Sequence, residues 1–157
     1  MKNLLSNLPQ LPNTLLQDIA QHAHDDYPNE CCGVWLQHAD GRWSSRRLHN
    51  IAAQKQRAFT LDPLDILDLL EGEDQGRWRW HGVYHSHPDH PPFLSNQDRA
   101  HWITAQTPWL PGRLQLIAGV TNGQCDFALY MWSETQKQYE CVRLIRNVIC
   151  DTLSTGT

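Results

Sequence analysis

Apolar residues recur at helical spacing over Thr14–Asp26, where Leu15, Leu16, Ile19, Ala20 and Ala23 share one face behind Pro12 and a capping-type Asn13. Pro28 stands just past the end of this pattern. The runs "CCGVWLQH" (31–38) and "RWSSRRLHNIA" (42–52) flank the turn signal Ala39-Asp40-Gly41 and predict a β-hairpin. "RAFT" (57–60) reads as a short strand leading into a helix that Asp62 caps, with Pro63 at its first position and Gly72 near its end. "RWRWHGVYHSHP" (77–88) is aromatic and β-branched enough for a strand, and Pro88 stops it. A third helix is expected to start at Ser95 and run through "NQDRAHWITAQ" (96–106). Three strands close the pattern, "RLQLIAGV" (113–120), "CDFALYMW" (125–132) and "YECVRLI" (139–145), parted by Asn122-Gly123 and "SETQK". The tail from Asn147 carries no pattern and is expected to be flexible. The order predicts an α/β (α+β) fold, one curved mixed sheet flanked by helices.

Composition narrows this reading. A chain of 157 residues suffices for one domain with a core at about 14–146, and not for two well-buried ones. With 40% hydrophobic residues and seven tryptophans the chain is of globular type, and a net charge of −4 gives no basic footprint for nucleic acid. The leucines of the first eighteen residues are broken by Asn, Pro and Gln, so neither a signal peptide nor a membrane span is expected, and the cytoplasm is the expected location. Five cysteines, an odd number without Cys-x-x-Cys spacing, speak against a disulfide framework or a structural zinc knuckle.

The densest chemistry lies in "YHSHPDHPPFLSNQD", residues 84–98. On a strand His85 and His87 project from one face with Cα atoms about 6.7 Å apart, close enough for both imidazoles to reach one metal ion. His81 shares that face by parity but lies roughly 13 Å from His85, outside such a set. A His-x-His pair arises by chance about half a time in a chain holding nine histidines, so the pair alone carries little weight. Ser95-x-x-Asp98 adds to it. Asp98 offers a third ligand and leaves a fourth tetrahedral position for water, the arrangement of catalytic zinc. The same two residues also spell a capping box, which would only start a helix. Glu30 opens an apolar strand, an awkward place for a charge unless it faces a polar cleft, and a carboxylate outside the metal shell is the usual proton shuttle for amide hydrolysis. By parity Trp78 and Trp80 fall on the face opposite the two histidines and are read as core, while Arg77 and Arg79 fall on the histidine side unless a β-bulge intervenes.

Glu30-Cys31-Cys32-Gly33, then His85-Ser86-His87-Pro88, then ten residues from His87 to Asp98 with Ser95 three before it, together resemble the JAMM/MPN+ zinc metallopeptidases. The likeness runs from about Thr14 to Ile145 and is nearest to small prokaryotic members of deubiquitinase-like or sulfur-carrier-processing type. It implies a single domain over residues 1–157, of the MPN/JAMM, cytidine-deaminase-like fold. By resemblance, His85, His87 and Asp98 would ligate Zn2+. Glu30 would deprotonate the zinc-bound water and pass the proton to the departing amine, and Ser95 would help stabilise the oxyanion. The implied partner is a ubiquitin-like or sulfur-carrier β-grasp protein with a C-terminal Gly-Gly tail, cleaved after that glycine. Leu94 departs from the pattern, since many relatives carry proline before the serine.

Three readings compete: a zinc isopeptidase or peptidase, including release of cysteine from a sulfur-carrier adduct; a non-catalytic MPN-type binding module; and a cysteine hydrolase. The intact set of five residues disfavours the second. The adjacent Cys31 and Cys32 face opposite ways on a strand, so at most one could reach a cleft, which disfavours the third.

Overall fold

The computed structural model describes residues 8–149. Its elements are α1 (Asn13–Asp26), β1 (Cys32–His38), β2 (Trp43–Leu48), α2 (Pro63–Asp74), β3 (Trp78–Pro88), α3 (Asn96–Trp102), β4 (Ile103–Thr104), β5 (Thr107–Pro108), β6 (Leu114–Thr121), β7 (Gln124–Ser133) and β8 (Gln138–Ile149). Six strands form one sheet in the order β2-β1-β3-β6-β7-β8, and β4 pairs only with β5. β3 and β6 at the centre run parallel, whereas the other neighbours are antiparallel. The parallel pair requires a crossover, and α3 with the β4–β5 ribbon supplies it.

Alternation along the strands splits the core in two. On one side α1 lays Leu15, Leu16, Ile19 and Ala20 against Cys31, Trp35, Tyr84 and Leu116. On the other, Cys32, Val34, Trp80, Val83 and Ile117 pack beneath Leu69 of α2 and Trp102 of α3. Cys31 and Cys32 therefore do face opposite ways, each fully buried.

Local signals account for most boundaries. Asp62 accepts a hydrogen bond from the Leu64 N–H and Pro63 opens α2, as the sequence predicts. Asn122 and Gly123 take φ of 51° and 74°, the left-handed pair that a two-residue hairpin between β6 and β7 needs. Among the described residues no helix is long and apolar enough to cross a membrane.

Several expectations are corrected. Pro12, not Asn13, is the N-cap of α1, with no side-chain cap bond. Residues 57–60 form no strand; their backbone is held instead by the Asn50 side chain and by a bond from the Ile51 N–H to the Thr60 carbonyl. α3 stops at Trp102 rather than continuing to Gln106, because Ile103 turns extended (φ −119°) and enters the β4–β5 ribbon. Residues 147–149 belong to β8, where the Asn147 N–H donates to Asp126. The rest of the tail, from 150, lies outside the described residues.

The parity of β3 is also overturned. The register against β1 slips between Trp35 and Leu36, so Gly82 faces Trp35 while Trp80 already faces Leu36. His81 is the extra residue of a bulge, and a bulge reverses every face before it. His81 consequently packs against Trp43 with the rings tilted by 40° and 4.7 Å between centroids, away from the His85 face. Trp78 and Trp80 join the core on the His85 side, where the Trp78 indole donates to the Leu69 carbonyl. Arg79 moves to the opposite side, in a cleft with Trp43 and His81.

Candidate active site

The C-terminal end of the central strand β3 carries His85 and His87 on the face covered by α3. α3 begins at Ser95, whose Oγ accepts from the Asp98 N–H at 3.0 Å while Asp98 Oδ2 accepts from the Ser95 N–H at 3.1 Å. The capping box thus exists, and Asp98 still reaches both histidines. Its carboxylate lies 3.4 Å from His85 Nε2 and 3.2 Å from His87 Nε2, and the two Nε2 atoms are 3.0 Å apart. Ligands at zinc–ligand distances of about 2.0–2.1 Å around a tetrahedral ion stand about 3.3 Å from one another. The two Nε2 atoms have about that spacing, and each faces one of the two Asp98 oxygens at a similar distance, so the three residues can hold one metal ion.

Neighbours fix the orientation of these rings. Phe59 stacks on His85 with centroids 4.4 Å apart, and Trp102 meets the same ring edge-on at 5.1 Å. His87 Nδ1 lies 3.2 Å from the Pro91 carbonyl, which selects the tautomer with Nε2 free to face Asp98 or a metal. The loop supplying that carbonyl rests on Gly119, where a Cβ would come within 2.8 Å of backbone atoms of Pro92 and His90. Tyr130 secures its far end, since the phenol accepts from the Leu94 N–H at 3.1 Å. A proline at 94 would lack that donor, which gives the departure Leu94 a local use.

Electrostatics follow from burial and from the carboxylate. Burial lowers the pKa of the fully enclosed His85 and keeps it neutral. Burial acts downward on His87 too, but the bond to Asp98, its charge and the Pro91 carbonyl prevail and raise it. Burial opposes ionisation of Asp98, yet the two histidines and the Ser95 N–H hold it well below the usual carboxylate range. A neutral imidazole and an ionised carboxylate are the forms that bind metal.

Glu30 enters from the segment just ahead of the neighbouring strand β1. Cys32 pairs with His85, and Cys31 exchanges a backbone bond with Ser86 while its N–H donates to Ser86 Oγ at 2.8 Å. Glu30 lies just ahead of this pairing, close enough to His87 and Asp98 for both charges to act on it. Glu30 is 7% exposed, and its Oε2 is buried with no hydrogen-bond partner in the protein. Burial pushes its pKa up to about 7, with His87 pulling down and Asp98 adding to the rise. A buried carboxylate oxygen without a partner costs stability, which makes Glu30, beside the His85–His87–Asp98 group, a candidate for chemistry. Two clefts adjoin the five residues, one of about 180 Å³ bounded by Phe59 and Asp98 and one of about 730 Å³ that Glu30 lines with Tyr27 and Asn50. Burial drives the Cys31 and Cys32 thiols up to about 12, which removes both as nucleophiles.

The structure therefore gathers His85, His87 and Asp98 and sets Glu30 and Ser95 beside them. Sequence reading missed Asn50, Phe59, Ser86 and Trp102 around the site. Each acts through a contact across tens of residues, or from the far face of its strand, and none has a spacing rule that reveals it.

A mixed sheet thus carries, at the end of its central strand, a His-His-Asp group that can hold a metal ion, with a buried glutamate just ahead of the adjacent strand. The family described as prokaryotic homologs of the JAB domain matches residues 12–143, and the chain belongs to this family of metal-dependent JAMM peptidases; it is a hydrolase. The chain is similar to the desampylase of Haloferax volcanii, 32% identical over 109 residues that cover 67% of this chain and 73% of the relative. It is also similar to a probable TtuB-protein conjugate cleaving protease of Thermus thermophilus, 30% identical over 97 residues, 59% of this chain and 63% of that one. A Desulfitobacterium hafniense protein of known solution structure shares the fold, with a TM-score of 0.62 over 82% of this chain and 85% of the other at 23% identity.

Proposed function

We propose that the protein is a zinc-dependent isopeptidase that hydrolyses the bond after the C-terminal glycine of a ubiquitin-like, β-grasp protein. The convergence of His85, His87 and Asp98 beside the unpartnered carboxylate of Glu30 carries this reading. The names of the two relatives, desampylase and conjugate cleaving protease, support conjugates as the substrate class.

In this mechanism His85 Nε2, His87 Nε2 and an Asp98 oxygen would hold the ion. When bound, zinc supplies Lewis acidity, which acidifies water and polarises a carbonyl. Glu30 takes a proton from the attacking water at Oε2 and returns it to the departing nitrogen as the C–N bond breaks, leaving a glycine carboxylate and a free amine. A pKa near 7 suits both halves of that transfer at neutral pH. Ser95 Oγ spends a lone pair on the Asp98 N–H, and its own O–H remains to donate to the oxyanion. The cleft of about 180 Å³ between residues 58–60 and α3 is narrow, as a Gly-Gly tail requires. The cleft of about 730 Å³ beyond Glu30 accepts the amine side of the conjugate, because the proton is delivered there.

A β-grasp protein ending in Gly-Gly, joined to a lysine side chain, tests the reading. Wild type loaded with zinc should release it, and Glu30→Gln should bind zinc and conjugate alike without cleaving. Equal cleavage by both would remove Glu30 from the mechanism. Cleavage of a Gly-Gly–cysteine adduct alone, with the isopeptide untouched, would favour processing of sulfur carriers.

A further inference from the structure

Glu30 sits two residues before β1, so the pairing of β1 with its neighbours does not reach it. What holds its main chain is the segment from Asn50 to Thr60. The Glu30 N–H donates to the Lys55 carbonyl at 2.7 Å, and the Glu30 carbonyl accepts from Asn50 Nδ2 at 3.0 Å. Asn50 Nδ2 also donates to the Ala58 carbonyl at 2.9 Å, while Oδ1 accepts from the N–H groups of Ala52 at 3.0 Å and Thr60 at 3.1 Å. One amide thus makes four bonds, the useful complement of its two donors and two lone pairs. Three of them shape the segment itself and the fourth reaches Glu30. The same segment carries Phe59 onto the His85 ring.

We propose that Asn50 is a positioning residue for the reaction, a hub that ties the backbone of the proton-transferring Glu30 to the segment packed on the metal-binding face. The inference rests on the reading of Glu30 as general base. Asn50 lines the cleft beside Glu30, and all its polar atoms are engaged within the chain, so its role is placement rather than contact with substrate. Placement of a proton-transfer group matters steeply, because a shift of about 1 Å costs up to about 100-fold in rate.

Asn50→Asp is the informative variant. A carboxylate keeps the acceptors for Ala52 and Thr60 and loses the donors to Ala58 and Glu30, so the segment keeps two of its three Asn50 bonds while the side-chain link to the Glu30 carbonyl is cut and an oxygen faces it. With the Gly-Gly conjugate, kcat should fall about 10- to 100-fold with KM within about twofold. Zinc content, and the absorption spectrum of the cobalt-substituted protein, should match wild type. Asn50→Ala should lose as much kcat and also melt at a lower temperature. In amide-exchange measurements on the metal-free chain, which need no substrate, the Glu30 N–H should lose protection in Asn50→Asp while that of Val34 does not.

A kcat within twofold of wild type, a loss confined to KM, or unchanged Glu30 protection would each overturn the proposal. Glu30→Gln in the same assay separates the two claims. Full activity there would sink the general-base reading itself, whereas an inactive Glu30→Gln beside a fully active Asn50→Asp would sink only the positioning role.

Discussion

In the proposed mechanism Glu30 sets a cost in stability against a chemical task. Its folded pKa of about 7 exceeds the ordinary 4.5, so below pH 4.5 it is neutral in both folded and unfolded chains and contributes no difference. Between those values only the unfolded chain ionises, and above pH 7 the full penalty applies. Metal-free Glu30→Gln should therefore be more stable than wild type at pH 8, by at most about 3 kcal/mol at ~1.4 kcal/mol per pKa unit, and equal to it at pH 4. Thermal melts at the two pH values check this, and a Gln variant no more stable at pH 8 would show that Glu30 carries no burial penalty. In the proposed mechanism Ser95 has two duties of different size, the helix cap and the oxyanion donor. Loss of the helix cap in Ser95→Ala should cost about 1 kcal/mol of stability, whereas loss of an oxyanion donor should lower kcat by about 10²- to 10³-fold. A variant that melts earlier but retains kcat would leave Ser95 as a cap alone.

At the scale of elements, the ends of β3 and β1 and the start of α3 make the site, and the loop between β3 and α3 sets their distance. Gly119 on β6 is the floor for that loop, and since the atoms facing it are backbone of His90 and Pro92 and the fixed ring of Pro92, no side-chain rotation relieves an added methyl. Gly119→Ala should cost about 1–3 kcal/mol and weaken metal binding, measured by competition with a chromophoric chelator, through displacement of the Pro91 carbonyl from His87. Unchanged affinity would place the loop outside the machinery that orients His87. The sequence made the elements legible where local chemistry decides them: Asp62-Pro63 starting α2, Asn122-Gly123 turning β6 into β7, Ser95 and Asp98 opening α3. It also made the pairing of His85 with His87 legible, because only Ser86 separates them and no bulge intervenes. Parity failed upstream of His81, where the fit of Gly82 beneath Trp35 inserts a bulge that no residue pattern announces. α3 outran its real end because Ile103 and Thr104 have neighbours in β5 to pair with, a tertiary choice over a helical one. Asn50 and Phe59 stayed invisible for the same reason, since the site residues they touch, Glu30 and His85, lie twenty or more residues away.

For the molecule as a whole, the sheet separates a structural side from a chemical one. α1 seals Cys31 and Tyr84 into an apolar layer, while the opposite layer holds the polar cluster under α3. Cleavage should accordingly resist thiol alkylation and yield to chelators: among the described residues Cys141 alone of the cysteines is exposed, and it lies on β8, outside the site. Inactivation by iodoacetamide that zinc cannot reverse would contradict the metal-centred account. The family relation and the geometry meet at one claim, that His85, His87 and Asp98 together hold a zinc ion. Metal content of protein purified without added metal, for wild type, His87→Ala and Asp98→Ala, tests it most directly. The account predicts close to one zinc per wild-type chain and little in either variant, with circular dichroism showing all three folded. Wild-type protein that takes up no zinc even when supplied, or variants that keep it, would contradict the account and leave the three residues as a hydrogen-bonded cap on α3.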